Sequence, residues 1–256
     1  MYAEERQQAM AQLVAERGRL SVTELSTAYD VTTETVRRDL STLERIGLVR
    51  RVHGGAIPAN SLAVIESVLA ERDRANVEAK DRIARAAVDL LPPPGGTLVL
   101  DAGSTTARLA AHLPRDHQLT VFTNAVPLAA RLASSPQVEL HLLPGRVRST
   151  TQAAVGADTV AVLEGLRVDV AVLGSNGLSV RHGLSTPDSD EAATKHAMVR
   201  AARQVVALVD ASKLGVESPI RFAAIEELDV LVTDSSVDDD VRREIEASGV
   251  EVVVTP

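Results

Sequence analysis

Residues 31–40 read Val31-Thr32-Thr33-Glu34-Thr35-Val36-Arg37-Arg38-Asp39-Leu40, and with Leu43 they set an apolar stripe at Val36, Leu40 and Leu43. The spacing i, i+4, i+7 is that of one helical face. Thr32 stands where an N-cap hydroxyl is wanted, and Gly47 ends the helix. The other face carries Thr33, Glu34, Arg37, Arg38 and Ser41. Upstream, Ser21-Val22-Thr23-Glu24 is a capping box. It opens a helix that buries Val22, Leu25 and Tyr29, and Asp30-Val31-Thr32 is the break between the two helices. Further upstream Ala9, Leu13 and Val14 share a face of a helix running to about Arg17, with Gly18 as its C-cap. Downstream, Leu48 to Gly55 holds Arg50, Arg51, His53 and a Gly-Gly turn, and reads as a small basic hairpin.

Two helices joined by a tight turn, the second polar and basic on its outer face, predict a helix-turn-helix over about 20–39. The hairpin adds a wing, so 1–57 is expected to be a winged DNA-binding domain. The second helix can enter the major groove, with Thr33, Thr35, Arg37 and Arg38 toward the bases. Arg50, Arg51 and His53 on the wing can meet flanking phosphates. Between 17 and 57 seven Arg face five acids, a modest local excess. The alternative at this point is a three-helix packing or dimerisation module with solvated arginines.

The run Val31 to Leu40, then Leu43-Glu44, Gly47, Arg51 and His53-Gly54-Gly55-Ala56, resembles the DeoR family of bacterial transcriptional regulators. The family usually has Ser where Thr32 stands, a change that keeps the capping hydroxyl. The resemblance implies operator double-stranded DNA as a partner.

Residues 58–75 lack a clean period and read as a linker. From 76 to 256 helical and strand patterns alternate, which predicts an α/β domain with a mainly parallel sheet. Thr97-Leu98-Val99-Leu100 is a strand, followed at once by Asp101-Ala102-Gly103-Ser104-Thr105-Thr106 and a helix start. Glycine lets the backbone approach an anion, free N–H groups point at it, and Ser104, Thr105 and Thr106 add hydroxyls. The plain alternative is a hydroxyl-capped helix. Other predicted strands end in Thr123-Asn124, Gly145-Arg146, Gly174 to Gly177, Asp210 to Lys213 and Asp234. Ligands of such sheets bind beyond the carboxyl ends of the strands, so the converging loops suggest a pocket for a small polyhydroxy anion.

Asp101 to Thr105, Thr123-Asn124, Gly174 to Gly177, Gly183-Leu184-Ser185-Thr186 and Asp210-Ala211-Ser212-Lys213 resemble the sensor domain of the same family. That implies a ribose-5-phosphate isomerase-like fold, a phosphorylated sugar as effector, and a homo-oligomer, dimer or tetramer. The candidate effector residues are Asp101, Gly103, Ser104, Thr105, Thr106, Thr123, Asn124, Gly145, Asn176, Glu191, Lys195 and Lys213. The family commonly has Gly-Gly at 145–146; Arg146 is read either as an extra anion contact or as a solvent-facing side chain. The chain further resembles actinobacterial fructose-operon regulators, which implies repression of a sugar-use operon released by fructose 1-phosphate. A transcriptional activator is the other sign.

Of the 27 basic residues only Lys80, Lys195 and Lys213 are lysines. Lys213 falls in a strand-end loop suited to a phosphate. Lys195 follows Glu191 by four residues, so an ion pair along one helix is the plain reading. Lys80 has no role legible in the sequence. An enzyme of isomerase-like fold with an appended DNA-binding domain is the alternative function. Such isomerases resemble Asp-Gly-Ala-Asp-Glu where this chain has Leu173-Gly174-Ser175-Asn176-Gly177, so the acids for proton transfer are replaced. Glu191, Asp188 and Asp101 remain as possible bases, and no catalytic residue is assigned.

Composition narrows the rest. The chain has 256 residues, 45% hydrophobic and 24% charged, with a net charge of −8, ordinary for a globular protein that buries a core. Residues 1–57 carry eight Arg and eight acids, so the acidity belongs to 58–256. There is no Cys, which excludes disulfides and thiol chemistry. The six His show no metal spacing and there is no P-loop, so neither metal nor cofactor is expected. Four aromatics are too few to stack a single strand. The charged start is unlike a signal peptide and no apolar run reaches a membrane span, so a cytoplasmic protein without membrane contact is expected.

Overall fold

A computed structural model of the chain describes every residue except 1, 18, 19, 53, 59–65 and 67, and of Val52 the backbone alone. The expected Gly18 cap and His53 therefore lie outside the described residues. The chain divides into two compact units, 1–62 and 63–256.

The first unit runs α1 (Ala3–Arg17), β1 (Leu20–Ser21), α2 (Val22–Tyr29), α3 (Thr33–Arg45), β2 (Val49–Val52) and β3 (Gly55–Pro58). The capping box is formed: Ser21 Oγ accepts from the Glu24 N–H at 3.1 Å and the Ser21 N–H donates to Glu24 at 2.7 Å. Asp30 takes the left-handed conformation (φ 50) that stops α2, and Thr32 caps α3 through the Thr35 N–H at 3.2 Å. Val36, Leu40 and Leu43 meet Leu25, Val14 and Met10 in one core. The face of α1 is turned by one residue from the expected stripe. Met10, not Ala9, is buried with Val14, because its long, flexible thioether reaches the core where an alanine cannot. The expected hairpin is a three-stranded sheet, β1 pairing with β3 as well as β3 with β2. Gly55 is required there, since a Cβ would stand 2.1 Å from the Leu20 carbonyl oxygen. Asp39, on α3, is buried and held by Arg6 Nε at 2.7 Å and Gln7 Nε2 at 2.8 Å. This polar clasp fastens α1 to α3.

The second unit runs α4 (Leu69–Arg74), α5 (Val77–Ala86), β4 (Thr97–Leu100), α6 (Ser104–Leu109), β5 (Leu119–Thr123), α7 (Val126–Leu132), β6 (Val138–Leu142), β7 (Arg146–Arg148), β8 (Ala153–Val155) and α8 (Ala157–Glu164). It continues with β9 (Val168–Leu173), β10 (Gly177–Ser179), β11 (Gly183–Thr186), α9 (Ser189–Ala201), β12 (Ala202–Leu208), β13 (Ile220–Ala223), β14 (Val230–Asp234), α10 (Asp239–Ala247) and β15 (Glu251–Thr255). Seven strands form the main sheet in the order β15-β14-β12-β9-β4-β5-β6, and every neighbouring pair is parallel. The expectation of a mainly parallel sheet holds. Apolar strands such as Leu98–Leu100 and Val170–Leu173 are buried on both faces between two hydrophobic cores, as parallel strands must be.

The strand order reverses between β4 and β9. At such a switch point the adjoining loops diverge to opposite faces and leave a crevice at the carboxyl edge. Two small antiparallel sheets, β7-β8 and β10-β11-β13, accompany the main one. The stretch read as a linker is not structureless throughout, because 69–74 forms α4. A buried lysine braces the end of this short helix. Lys80 Nζ donates to the carbonyls of Arg72 at 2.5 Å and Ala75 at 2.7 Å, supplying a tertiary C-terminal cap that no local pattern announces.

Candidate functional site

In the first unit, Thr33, Arg37 and Arg38 are exposed on α3 while its apolar stripe is buried. The Arg38 guanidinium makes no ion pair among the described residues, and Arg37 is paired only loosely with Glu34 at 3.4 Å. The Thr35 hydroxyl is shared with Thr32 at 2.9 Å, so it helps the cap. Arg51 folds back onto α3, donating to Ser41 Oγ at 2.6 Å, while its backbone N–H donates to Glu44 at 2.8 Å. Arg50 is half-buried, and burial lowers its pKa. The helix thus offers exposed guanidinium and hydroxyl groups on one face, beside a wing whose arginine is braced against it.

In the second unit a polar cleft opens at the switch point. One wall is Ala102 to Thr106, which joins β4 to α6; a second is Gly174 to Asn176, after β9. Glu191 and Lys195 enter from α9, Lys213 from the turn at 211–213, Leu208 from β12 and Arg72 from α4. The side chains of Ser104, Thr105 and Thr106 are buried. Thr106 Oγ1 donates to the Gly103 carbonyl at 3.0 Å. The first N–H groups of α6 have no partner within the helix.

Beneath the cleft, Lys195 and Asp101 form a buried ion pair. Lys195 Nζ also donates to the Gly174 carbonyl at 3.0 Å, and the Gly174 N–H donates to Asp101 at 3.0 Å. These contacts tie the ends of β4 and β9 together across the switch point. Lys195 therefore does not pair along its helix with Glu191; it reaches Asp101, and lies 5.4 Å from the centre of the Phe222 ring. Burial pushes the Asp101 carboxyl up, and Lys195 and the Gly174 N–H offset this only in part.

Asn124 orients the adjacent loop: Oδ1 accepts from the Ala102 N–H at 3.1 Å and Nδ2 donates to the Ala154 carbonyl at 3.1 Å. Thr123 Oγ1 donates to the Leu100 carbonyl at 2.7 Å. Gly145 (φ 133) is packed against Thr159, whose Oγ1 would stand 2.3 Å from an added Cβ. Asp101, Thr123, Asn124 and Gly145 thus lie outside the cleft lining. The cleft brings together Gly103, Ser104, Thr105, Thr106, Asn176, Glu191, Lys195 and Lys213 of the expected residues.

Arg146 is exposed and paired with Asp190 at 2.6 Å, away from the cleft. Arg148, two residues on and so on the same face of β7, is the partly buried hub. It meets Glu191 at 2.6 Å, Glu66 at 3.0 Å and Asp188 at 3.3 Å. Burial would raise the Glu191 carboxyl, but Lys195, Thr151 and Arg148 hold it below its ordinary value. Asp188 caps α9 by accepting from the Glu191 N–H at 2.9 Å. Each acid read as a possible base is thus engaged by cations or N–H groups. Burial depresses the Lys213 pKa, Asp210 opposing and Arg72 and Lys195 adding to the fall. The cleft is crowded with cations, of which Arg72 escaped the sequence reading because it lies in the apparent linker.

Among the described residues no cluster of three or more metal-ligating side chains occurs, and no helix is long and apolar enough to cross a membrane. A winged helix-turn-helix joined to a doubly wound unit with a polar cleft at its switch point defines a two-part regulator. The description "DeoR-like helix-turn-helix domain" matches residues 6–61, and "DeoR C terminal sensor domain" matches 75–235. The chain belongs to the DeoR family of transcriptional regulators; it is not an enzyme. It is 39% identical over 253 residues to the HTH-type transcriptional regulator GlpR of Haloferax volcanii, covering 99% of this chain and 98% of that one. It is 32% identical over 255 residues to the HTH-type transcriptional repressor GlcR of Bacillus subtilis, covering 100% and 97%. Among solved structures, a ribose 5-phosphate isomerase A from Methanocaldococcus jannaschii matches at TM-score 0.41 and 20% identity over 55% of each chain.

Proposed function

We propose that the chain represses a sugar-utilisation operon and releases its operator when a phosphorylated sugar occupies the cleft. The observation that carries this reading is the convergence of Arg72, Lys213 and the Ser104 and Thr105 hydroxyls at the switch point. Arg72 Nε and Nη2 are buried without hydrogen-bond partners among the described residues. Unmatched donors of this kind favour an anion with several acceptor oxygens. Glu191 and Asn176 stand across the cleft, where sugar hydroxyls need polar partners. A relative named as the lactose phosphotransferase system repressor of Streptococcus mutans, and the relative named as the transcriptional repressor GlcR, support the biological setting.

On the DNA side, Thr33, Thr35, Arg37 and Arg38 face the major groove and Arg50, Arg51 and His53 the flanking backbone. Residues 1–57, 58–75 and 76–256 serve as reader, connection and sensor, and a dimer or tetramer pairs the readers on two half-sites. Fructose 1-phosphate is the effector named for test. Calorimetry comparing it and other sugar phosphates with the free sugars checks the cleft. A preference of tenfold or more for the phosphorylated form is expected; equal binding of sugar and sugar phosphate would refute the reading.

A further inference from the structure

Glu191 is 4% exposed, lines the cleft, and uses its two carboxylate oxygens unequally. Oε1 is engaged twice: Thr151 Oγ1 donates to it, and the Arg148 guanidinium meets it at 2.6 Å. Among the described residues Oε2 has one long hydrogen bond, from Thr186 Oγ1 at 3.4 Å. A carboxylate oxygen carries two lone-pair sites, so Oε2 keeps room for a further donor. Arg148 reaches Glu191 from β7 and is itself held by Asp188 at 3.3 Å and Glu66 at 3.0 Å. It thereby fixes the direction in which the Glu191 carboxylate points.

The charges of the cleft are polarised. Lys213 has Arg72 and Lys195 as cationic neighbours and Asp210 as its counter-ion. The cations around Glu191 are Lys195, on its own helix α9, and Arg148. The acids beside it are Asp188, which caps the same helix, and Asp101 from the end of β4. Lys195 is committed to Asp101. With a phosphate between Arg72, Lys213 and the α6 hydroxyls, Glu191 Oε2 is the acceptor left for the other end of the bound molecule.

We propose that Arg148, acting through Glu191, is a positioning residue that determines specificity: it fixes a carboxylate that accepts from neutral sugar hydroxyls and repels a second anion. The ligand class is then a sugar monophosphate with an uncharged polyhydroxy end. Sugar bisphosphates and phosphorylated sugar acids are rejected, because their second anion would stand against a buried charge of the same sign. This rests on the reading of the cleft as a phosphate site, and it adds which phosphorylated sugars that site admits.

The test is calorimetry on the full chain with inorganic phosphate and two matched pairs, glucose 6-phosphate with 6-phosphogluconate and fructose 1-phosphate with fructose 1,6-bisphosphate. In wild type the tighter-binding monophosphate should exceed its matched partner by at least tenfold. Glu191→Gln should bring that ratio within threefold of one while inorganic phosphate binds at least as well as before. Arg148→Met separates positioning from general electrostatics. Loss of a cation by itself penalises the more anionic ligand and raises the ratio at every pH. The proposal predicts the opposite. Burial raises the Glu191 carboxyl, and Lys195, Thr151 and Arg148 together hold it below its ordinary value. Without Arg148 the carboxyl rises, so the ratio should fall at least fivefold relative to wild type as pH drops from 8 to 6. Comparing each variant with wild type at the same pH cancels the ligands' own titration. If Arg148→Met folds poorly, Thr151→Val removes the other grip on Oε1 without removing a charge, and should lower the ratio at least twofold. A wild-type ratio of threefold or less, an unchanged ratio in Glu191→Gln, or a ratio in Arg148→Met that rises or ignores pH would overturn the proposal. Absence of binding by inorganic phosphate and by both monophosphates refutes the phosphate site instead, and the selectivity with it.

Discussion

Replacing Lys195 by Met tests the joint beneath the cleft. Asp101 is 1% exposed and Lys195 5%. Without the ammonium, the Asp101 carboxylate retains the Gly174 N–H at 3.0 Å and no cation in contact. Methionine keeps the aliphatic stem and its packing beside Phe222, so the loss is one of charge rather than volume. Removing one partner of a buried pair costs about 3–5 kcal/mol. That range corresponds to a roughly 10²–10⁴-fold larger population of the globally open second unit. Hydrogen exchange of the β4 and β9 amides reads this unit separately from the first. The double variant Asp101→Asn with Lys195→Met leaves no buried charge, and the Asn oxygen still accepts from Gly174. It should recover about 1–3 kcal/mol relative to the sum of the single losses. An Lys195→Met variant within 1 kcal/mol of wild type, or strictly additive losses, would show that the pair is not what joins β4 to β9.

The other predictions divide between the units. Arg38→Ala should weaken binding to a selected operator by about 1–3 kcal/mol if Arg38 reads a base, whereas an arginine that only meets phosphate lowers the salt slope by about 1 and leaves sequence preference intact; gel shifts across a salt series separate the two. Asp39→Ala opens the clasp with Arg6 and Gln7, so the first unit should melt before the second, which near-ultraviolet dichroism follows because both tyrosines, Tyr2 and Tyr29, lie in residues 1–62. Burial, with Lys213 adding, lowers the Lys80 pKa from 10.5 to about 8. Between those values the unfolded chain holds a proton that the folded one has released, so stability should rise with pH across that window, by up to about 1.4 kcal/mol per pH unit. Denaturation midpoints at pH 8.5 and 9.5 check this, and Lys80→Met should flatten the slope.

What the sequence discloses follows from how locally each feature is encoded. The capping box at Ser21, the break at Asp30 and the stripe Val36, Leu40, Leu43 depend on residues within one or two turns, and the structure has them where the spacing puts them. The parallel sheet was legible because strand segments such as Val170–Leu173 are continuously apolar. The cleft was legible where its polar residues follow strand ends directly, as Gly103 to Thr106 do. The failures are long-range. Nothing near Lys80 in sequence says that its ammonium caps α4, and a helix of six residues is too short to stand on propensity alone. Lys195 has a good helical neighbour in Glu191 but prefers Asp101, distant in sequence, because the switch point brings β4 and β9 beside α9. Arg146 drew attention as a departure from the family pattern, yet Arg148 is the one that the fold pairs with Glu66, Asp188 and Glu191.

Release of the operator sets a definite energetic requirement on the cleft. A hundredfold loss of operator affinity needs about 2.7 kcal/mol of differential effector binding between the two states. A charge-assisted hydrogen bond contributes about 1.5–3 kcal/mol net, so one well-made phosphate–arginine hydrogen bond that forms in only one state can supply the shift. Arg72 lines the cleft, and its Nε and Nη2 are buried without hydrogen-bond partners among the described residues, so it is the arginine with donors to spare. Linkage then fixes a reciprocal result: saturating operator DNA must weaken effector binding by the same factor by which effector weakens operator binding. Calorimetry of sugar phosphate with and without operator measures that factor. In Arg72→Gln it should fall toward one in both directions at once, whereas a purely local loss of phosphate affinity would leave it unchanged.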